Sequence, residues 1–232
     1  MDTEKTEWFL RGNWAPLGEE KELYDLKVDG SIPTELDGIY VRTGPNPKDG
    51  KGSHWFLGDG MVHGIRLKKG KAEWYRNRFV QTPDITEPLK DPMAGLGDLR
   101  RGKGNTHVVA HNEQIMCLEE AHWPWTINAD LETTGVLNYE GKLDCSMTAH
   151  PKVCPITGEL LAFSYFSFEQ PYLKYIRVSA EGKLQQVEGI ELPEMVMMHD
   201  FNITRNFVIF MDLPLALDLE LLSTGIPFRF KS

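Results

Sequence analysis

The feature that most limits what this chain can fold into is a beat of short β-prone segments, broken at close intervals by turn residues. Residues 38–42 (GIYVR) form the first, which Thr43-Gly44-Pro45-Asn46-Pro47 is expected to stop. Residues 61–68 and 72–82 form a hairpin about Lys69-Gly70-Lys71. Segments 106–110 and 114–119 flank His111-Asn112-Glu113, and 160–168 and 172–179 alternate aromatic or aliphatic with small or polar residues. Segments 195–204 and 207–211 flank Arg205-Asn206. Strands spaced about 8–12 residues apart predict an all-β sandwich, barrel or propeller. The hairpins pair into units of roughly 40–50 residues, the size of a propeller blade, which puts a propeller ahead of a sandwich. Residues 1–30 read as a polar lead-in and 83–104 as an irregular connection with at most one helical turn. The whole of 1–232 reads as one domain.

Composition removes several functions. With 34 acidic and 25 basic residues the formal charge is −9, which argues against a phosphate-binding surface and therefore against nucleic acid. Cys117, Cys145 and Cys154 have no CxxC spacing, so neither a disulfide framework nor a cysteine zinc site is indicated. A reducing, cytoplasmic setting is the expectation. The charged opening MDTEKTE lacks the apolar stretch of a signal peptide, and no run approaches the ~20 apolar residues of a spanning helix.

Two histidines stand out. His150 lies in Met147-Thr148-Ala149-His150-Pro151-Lys152 and His199 in Met197-Met198-His199-Asp200-Phe201, each within a strand-like segment. Neutral imidazole is the commonest metal ligand, but two such histidines alone are more often packing residues. Asp200 suggests a two-histidine, one-carboxylate site. Neighbouring strand residues point to opposite faces, however, so His199 and Asp200 do not readily share one ion. His107 and His111 have the i, i+4 spacing of a zinc helix, yet their segment is β-prone and lacks the glutamate. His54, His63 and His122 read as structural, Glu120 as a solvated carboxylate, and Trp123-Pro124-Trp125 as packing.

The order of segments resembles the carotenoid cleavage oxygenase family. Residues 38–47 (GIYVRTGPNP) are similar to its early G-x-Y-x-R-x-G-P-N-P stretch, 55–63 (WFLGDGMVH) to its next motif, and 77–82 (NRFVQT) to the one after. Cys117-Leu118-Glu119-Glu120 with Pro124 resembles its glutamate-ended strand. Thr148-Ala149-His150-Pro151-Lys152 and Met198-His199-Asp200-Phe201 match its first two metal-histidine motifs. The similarity runs from about residue 13 to 230, and six motifs in series make it specific. It implies a seven-bladed β-propeller with Fe(II) on its axis, held by four histidines, three of them oriented by glutamates. His150 and His199 would be the first two iron ligands, and Glu120 would accept the second ring N–H of His199. The implied reaction inserts O2 into a conjugated C=C bond of an apolar polyene to give two carbonyl products.

Departures qualify that expectation. Family members are about twice this length, so a partial propeller of roughly three to four blades is expected, without the third and fourth histidines. Cys154 replaces a usual aspartate, which brings that turn's hydrogen bonding into question. Glu119 stands where stilbene-cleaving relatives tend to carry lysine, which favours a carotenoid or apocarotenoid over a stilbene. Residues 213–222 (LPLALDLELL) read as a core segment covered by the remainder of the protein, with peripheral membrane contact as the alternative. A non-catalytic carotenoid-binding propeller and a plain scaffold are the competing functions.

Overall fold

The computed structural model describes residues 7–218, 220–221 and 228–231, without the side chains of 92 and 93. The chain forms two compact units: Met1–Ala110 with Gln114–Leu118 and Pro124–Val136, and His111–Glu113 with Glu119–Trp123 and Leu137–Ser232.

The first unit opens with strands β1 (Lys21–Tyr24), β2 (Gly38–Pro45), β3 (Gly60–Lys68) and β4 (Lys71–Phe79). They form an antiparallel sheet in the order β1-β4-β3-β2. Lys69 and Gly70 both take positive φ, which matches the two-residue hairpin turn that follows the natural twist of the strands. Gly64 interrupts β3 for a packing reason: a Cβ there would stand 2.9 Å from Leu131 Cδ1. Val62, Val80, Cys117, Ile127 and Leu131 meet in this unit's core. After β4 come one α-turn, α1 (Pro83–Thr86), and two 3₁₀ turns at Pro92–Gly95 and Leu99–Arg101. The connection therefore holds three helical turns, where the sequence suggested at most one.

Strands β5 (His107–His111), β6 (Gln114–Leu118), β7 (Trp125–Ile127) and β8 (Thr133–Val136) make a second four-stranded sheet in sequential order. The third sheet, β9 (Lys152–Val153), β10 (Leu160–Ser164), β11 (Leu173–Val178) and β12 (Leu184–Ile190), has the order β12-β11-β10-β9. Hairpins β13 (Asn202–Ile203) with β14 (Val208–Ile209), and β15 (Leu215–Leu217) with β16 (Phe228–Phe230), complete the described strands. Three four-stranded antiparallel sheets in succession are the blade pattern that the hairpin spacing predicted.

Two boundaries moved. Strand β2 runs through Thr43 and Gly44 to Pro45 instead of stopping at Arg42. It is the terminal strand of its sheet, where a proline without an N–H is tolerated. Conversely, 195–204 is not one strand. Val196 makes a single bridge to Ala216, 197–201 lies outside any strand, and pairing resumes at Asn202. Residues 219 and 222–227, which include part of the 213–222 segment, lie outside the described residues. Among the described residues, no helix is long and apolar enough to cross a membrane.

Candidate metal centre

The second unit holds its histidines by burying what flanks them. Met147, Thr148 and Ala149 are fully buried before His150, and the Thr148 N–H donates to the Phe163 carbonyl at 2.7 Å. Pro151 follows, and Lys152 then enters β9 opposite Leu161. On the other segment, Met198 and Phe201 are sunk in the core and leave His199 between them more than half exposed. Phe201 packs edge-on against Phe163 at 5.0 Å and stacks with Phe210 at 5.8 Å. The Met197 N–H donates to the Leu215 carbonyl at 2.8 Å, which ties the segment to β15. An apolar residue on each side of a polar one is how an unladdered segment can still aim a side chain.

These anchors bring the two imidazoles together. Nε2 of His150 lies 3.1 Å from Nε2 of His199, with the rings close to perpendicular at 70°. Glu120 stands behind them, its Oε1 3.0 Å from His199 Nδ1 and 3.9 Å from His150 Nε2. One donor atom from each of the three falls within 4.8 Å of the others. The sequence-predicted residues His150, His199 and Glu120 thus converge. Asp200 does not join them: its carboxylate turns to Lys152 Nζ at 2.7 Å.

Electrostatics at this cluster are unusual. Burial pushes the Glu120 carboxyl up to about 8, opposed by the Tyr165 hydroxyl and assisted by the charges of Glu119 and Asp200. Neither Glu120 oxygen makes a hydrogen bond of ordinary geometry, although both are buried. A buried acid so placed lacks a compensating positive charge. Burial likewise drives the Tyr165 hydroxyl well above its ordinary value, with the Glu120 charge adding to it. For Asp200, burial acts upward, but the Lys152 hydrogen bond, the Phe201 N–H and the Lys152 charge together hold it below the usual range.

The donor set fits a divalent metal. Two imidazole nitrogens bound at right angles to one ion, each ~2.1 Å from it, stand about 3 Å apart, close to the spacing found here. The Glu120 carboxylate 3.0 Å from Nδ1 of His199 favours the tautomer protonated there, which puts the lone pair of that ring on Nε2, facing His150. The orphaned carboxylate supplies the negative charge that a dication lacks in two neutral imidazoles.

Other histidines are occupied locally. His63 meets the Tyr75 hydroxyl at 2.8 Å, His111 the Gly158 carbonyl at 2.9 Å, and the His54 ring accepts from the Phe56 N–H. His122 pairs with Glu119, whose Oε1 also accepts from the Ala121 N–H at 2.9 Å. Cys154 keeps its turn intact: its N–H donates to Glu159 and its carbonyl accepts from Gly158. Sequence reasoning missed Tyr165 and the pairing of Lys152. Tyr165 sits in an aromatic run that reads as core, and only its place beside Glu120 gives it a part in the site.

The RPE65 family, described as retinal pigment epithelial membrane protein, matches residues 14–232. The carotenoid 9,10(9',10')-cleavage dioxygenase 1 of Phaseolus vulgaris is 38% identical over 89% of this chain and 44% of its own length. A crystal structure of Pseudomonas brassicacearum lignostilbene dioxygenase superposes with a TM-score of 0.82 at 30% identity, covering 96% of this chain and 51% of that one. Cobalt-substituted apocarotenoid oxygenase from Synechocystis shares the fold, with a TM-score of 0.75 at 23% identity over 93% of this chain and 52% of that one. The chain therefore spans about half the length of the relatives it matches.

Proposed function

We propose, from the premise that this chain belongs to the RPE65/carotenoid cleavage oxygenase family, that it is the N-terminal portion of an Fe(II)-dependent oxygenase. The reaction is oxidative cleavage of a conjugated C=C bond in a carotenoid or apocarotenoid, giving two carbonyl products. The convergence of the His150 and His199 Nε2 atoms at 3.1 Å, with Glu120 behind one ring, carries this reading. His150 and His199 would hold iron(II), which when bound would supply the activation of O2 that oxidation of a conjugated alkene needs. His150 and His199 each offer it a neutral imidazole nitrogen, a donor suited to iron. Glu120 holds the Nδ1 proton of His199, which keeps the Nε2 lone pair free and the ring oriented. The buried faces of Met147, Met198 and Phe201 keep water from the backs of both segments.

Cleavage of a stilbene is the second reading, supported by the lignostilbene dioxygenase neighbour. Against it, Glu119, at the position where lysine would serve a phenol, is committed to His122 and the Ala121 N–H. In this reading residues 1–232 are part of a single propeller domain in a cytoplasmic protein, with peripheral membrane contact as the alternative. The test is aerobic incubation of the full-length protein, loaded with Fe(II), with an apocarotenal and, separately, with resveratrol. Aldehyde products carrying ¹⁸O from ¹⁸O2 are expected from the apocarotenal. Cleavage of resveratrol alone would favour the second reading, and no product from either would reject both.

A further inference from the structure

We propose that Lys152 and Asp200 form a latch that sets the distance between the two imidazoles, which makes both of them positioning residues. This inference rests on the metal-centre reading but is testable apart from it. Lys152 lies two residues beyond His150 and Asp200 immediately beyond His199, so one contact joins the two histidine-bearing segments beside the site. Its Nζ–Oδ1 distance is 2.7 Å, and the ammonium also lies over the Phe201 ring, 5.7 Å from its centroid. Each end is held. Lys152 is laddered to Leu161 through β9, with Pro151 limiting the backbone back to His150. Asp200 Oδ1 additionally accepts from the Phe201 N–H at 2.8 Å, and Phe201 is buried.

Exposure separates alignment from stability. The Lys152 and Asp200 side chains are 32% and 47% exposed, a setting in which ion pairs add little to global stability. What the pair can do is restrict one degree of freedom. The 195–201 segment bonds to β15 through the Val196 bridge and the backbone of Met195 and Met197, but no ladder runs through His199, so beyond Met197 the ring's placement depends on side-chain contacts. A fixed salt link beside His199 removes that freedom without occupying any ligand atom. Outer-shell groups of this kind typically change metal affinity by about 10–100-fold.

The test compares Lys152→Met, Asp200→Asn and the exchanged pair Lys152→Asp/Asp200→Lys with the unsubstituted protein, all as full-length chains. Three readouts are used: the nuclear Overhauser contact between the two imidazole rings in the metal-free protein, Co(II) affinity with its visible ligand-field spectrum, and metal-free melting temperature. The expected result is loss of the ring contact and Co(II) binding weakened about tenfold or more in both single variants. The exchanged pair restores both, and melting moves by no more than about 2 °C throughout. Retention of the ring contact and of Co(II) affinity in the single variants overturns the latch. Failure of the metal reading is distinguishable: a chain that binds no cobalt, yet loses its ring contact in the single variants, supports the latch and rejects the metal centre.

Discussion

The sheet β1–β4 and the segments that carry His150 and His199 place histidines in opposite ways. In the sheet, His63 sits within a continuous ladder, opposite Arg42 on β2 and Asn77 on β4, and its ring meets the Tyr75 hydroxyl. Burial, and then the positive charge of Arg42, lower its pKa from the ordinary 6.5 to about 4. In the second unit, His150 and His199 leave the ladders, are gripped by buried neighbours, and face a carboxylate instead of a guanidinium. Regular pairing fixes the backbone, and irregular anchored segments aim side chains at one another. The lesson is that a histidine's chemistry here follows from the charge it faces and from what holds its flanks.

The largest effects test that division. Phe201→Ala should cost about 3–5 kcal/mol of unfolding free energy in urea and abolish metal binding, since the same residue anchors core and His199. Met61→Ala in β3 should cost about 2–5 kcal/mol while leaving metal affinity of the folded protein unchanged. Loss of metal in both variants, measured by calorimetric titration below their melting temperatures, would break the comparison. Next, His150→Ala and His199→Ala should each weaken Fe(II) or Co(II) binding by more than the ~100-fold upper bound typical of outer-shell changes. His63→Ala should leave it unaltered.

Glu120→Gln comes third, with affinity reduced about 10–100-fold and near-ultraviolet circular dichroism preserved. The smallest effect concerns pH. The folded state holds the His63 proton less tightly than the unfolded chain, so the unfolded state binds more protons between about pH 4 and 6.5. The His63 contribution to stability is therefore complete above that window and is lost as pH falls through it. His63→Gln should flatten this part of the stability profile in urea titrations from pH 4 to 7. A slope unchanged by the substitution would assign it to other groups.

Much of this was legible before any coordinate. Turn residues at Lys69-Gly70 fixed a hairpin because few backbones other than that one satisfy two positive φ values in succession. The blade-sized spacing of hairpins anticipated the succession of four-stranded sheets, since each sheet needs four short strands and their turns. His150, His199 and Glu120 were picked out through motif resemblance and meet in space. What periodicity missed were departures from regularity. The 195–204 stretch has strand-like alternation, but it bonds to β15 only around Val196 and to β14 only from Asn202, and between them it is held by the buried anchors Met198 and Phe201 with no ladder through His199. The extension of β2 through Pro45 was hidden because turn chemistry and the terminal position of a sheet favour the same residues. Tyr165 and the Lys152–Asp200 pair were invisible for a simpler reason: each depends on a contact between distant segments that no local pattern encodes.

The central claim is that His150 and His199, backed by Glu120, hold one metal ion. Anaerobic titration of the metal-free full-length protein with Co(II), followed by visible absorption and metal analysis, tests it most directly. About one ion per chain is predicted, with the ligand-field bands abolished in both His150→Ala and His199→Ala and retained in His63→Ala. No binding by the unsubstituted chain, or bands unchanged in either of the first two variants, would contradict it.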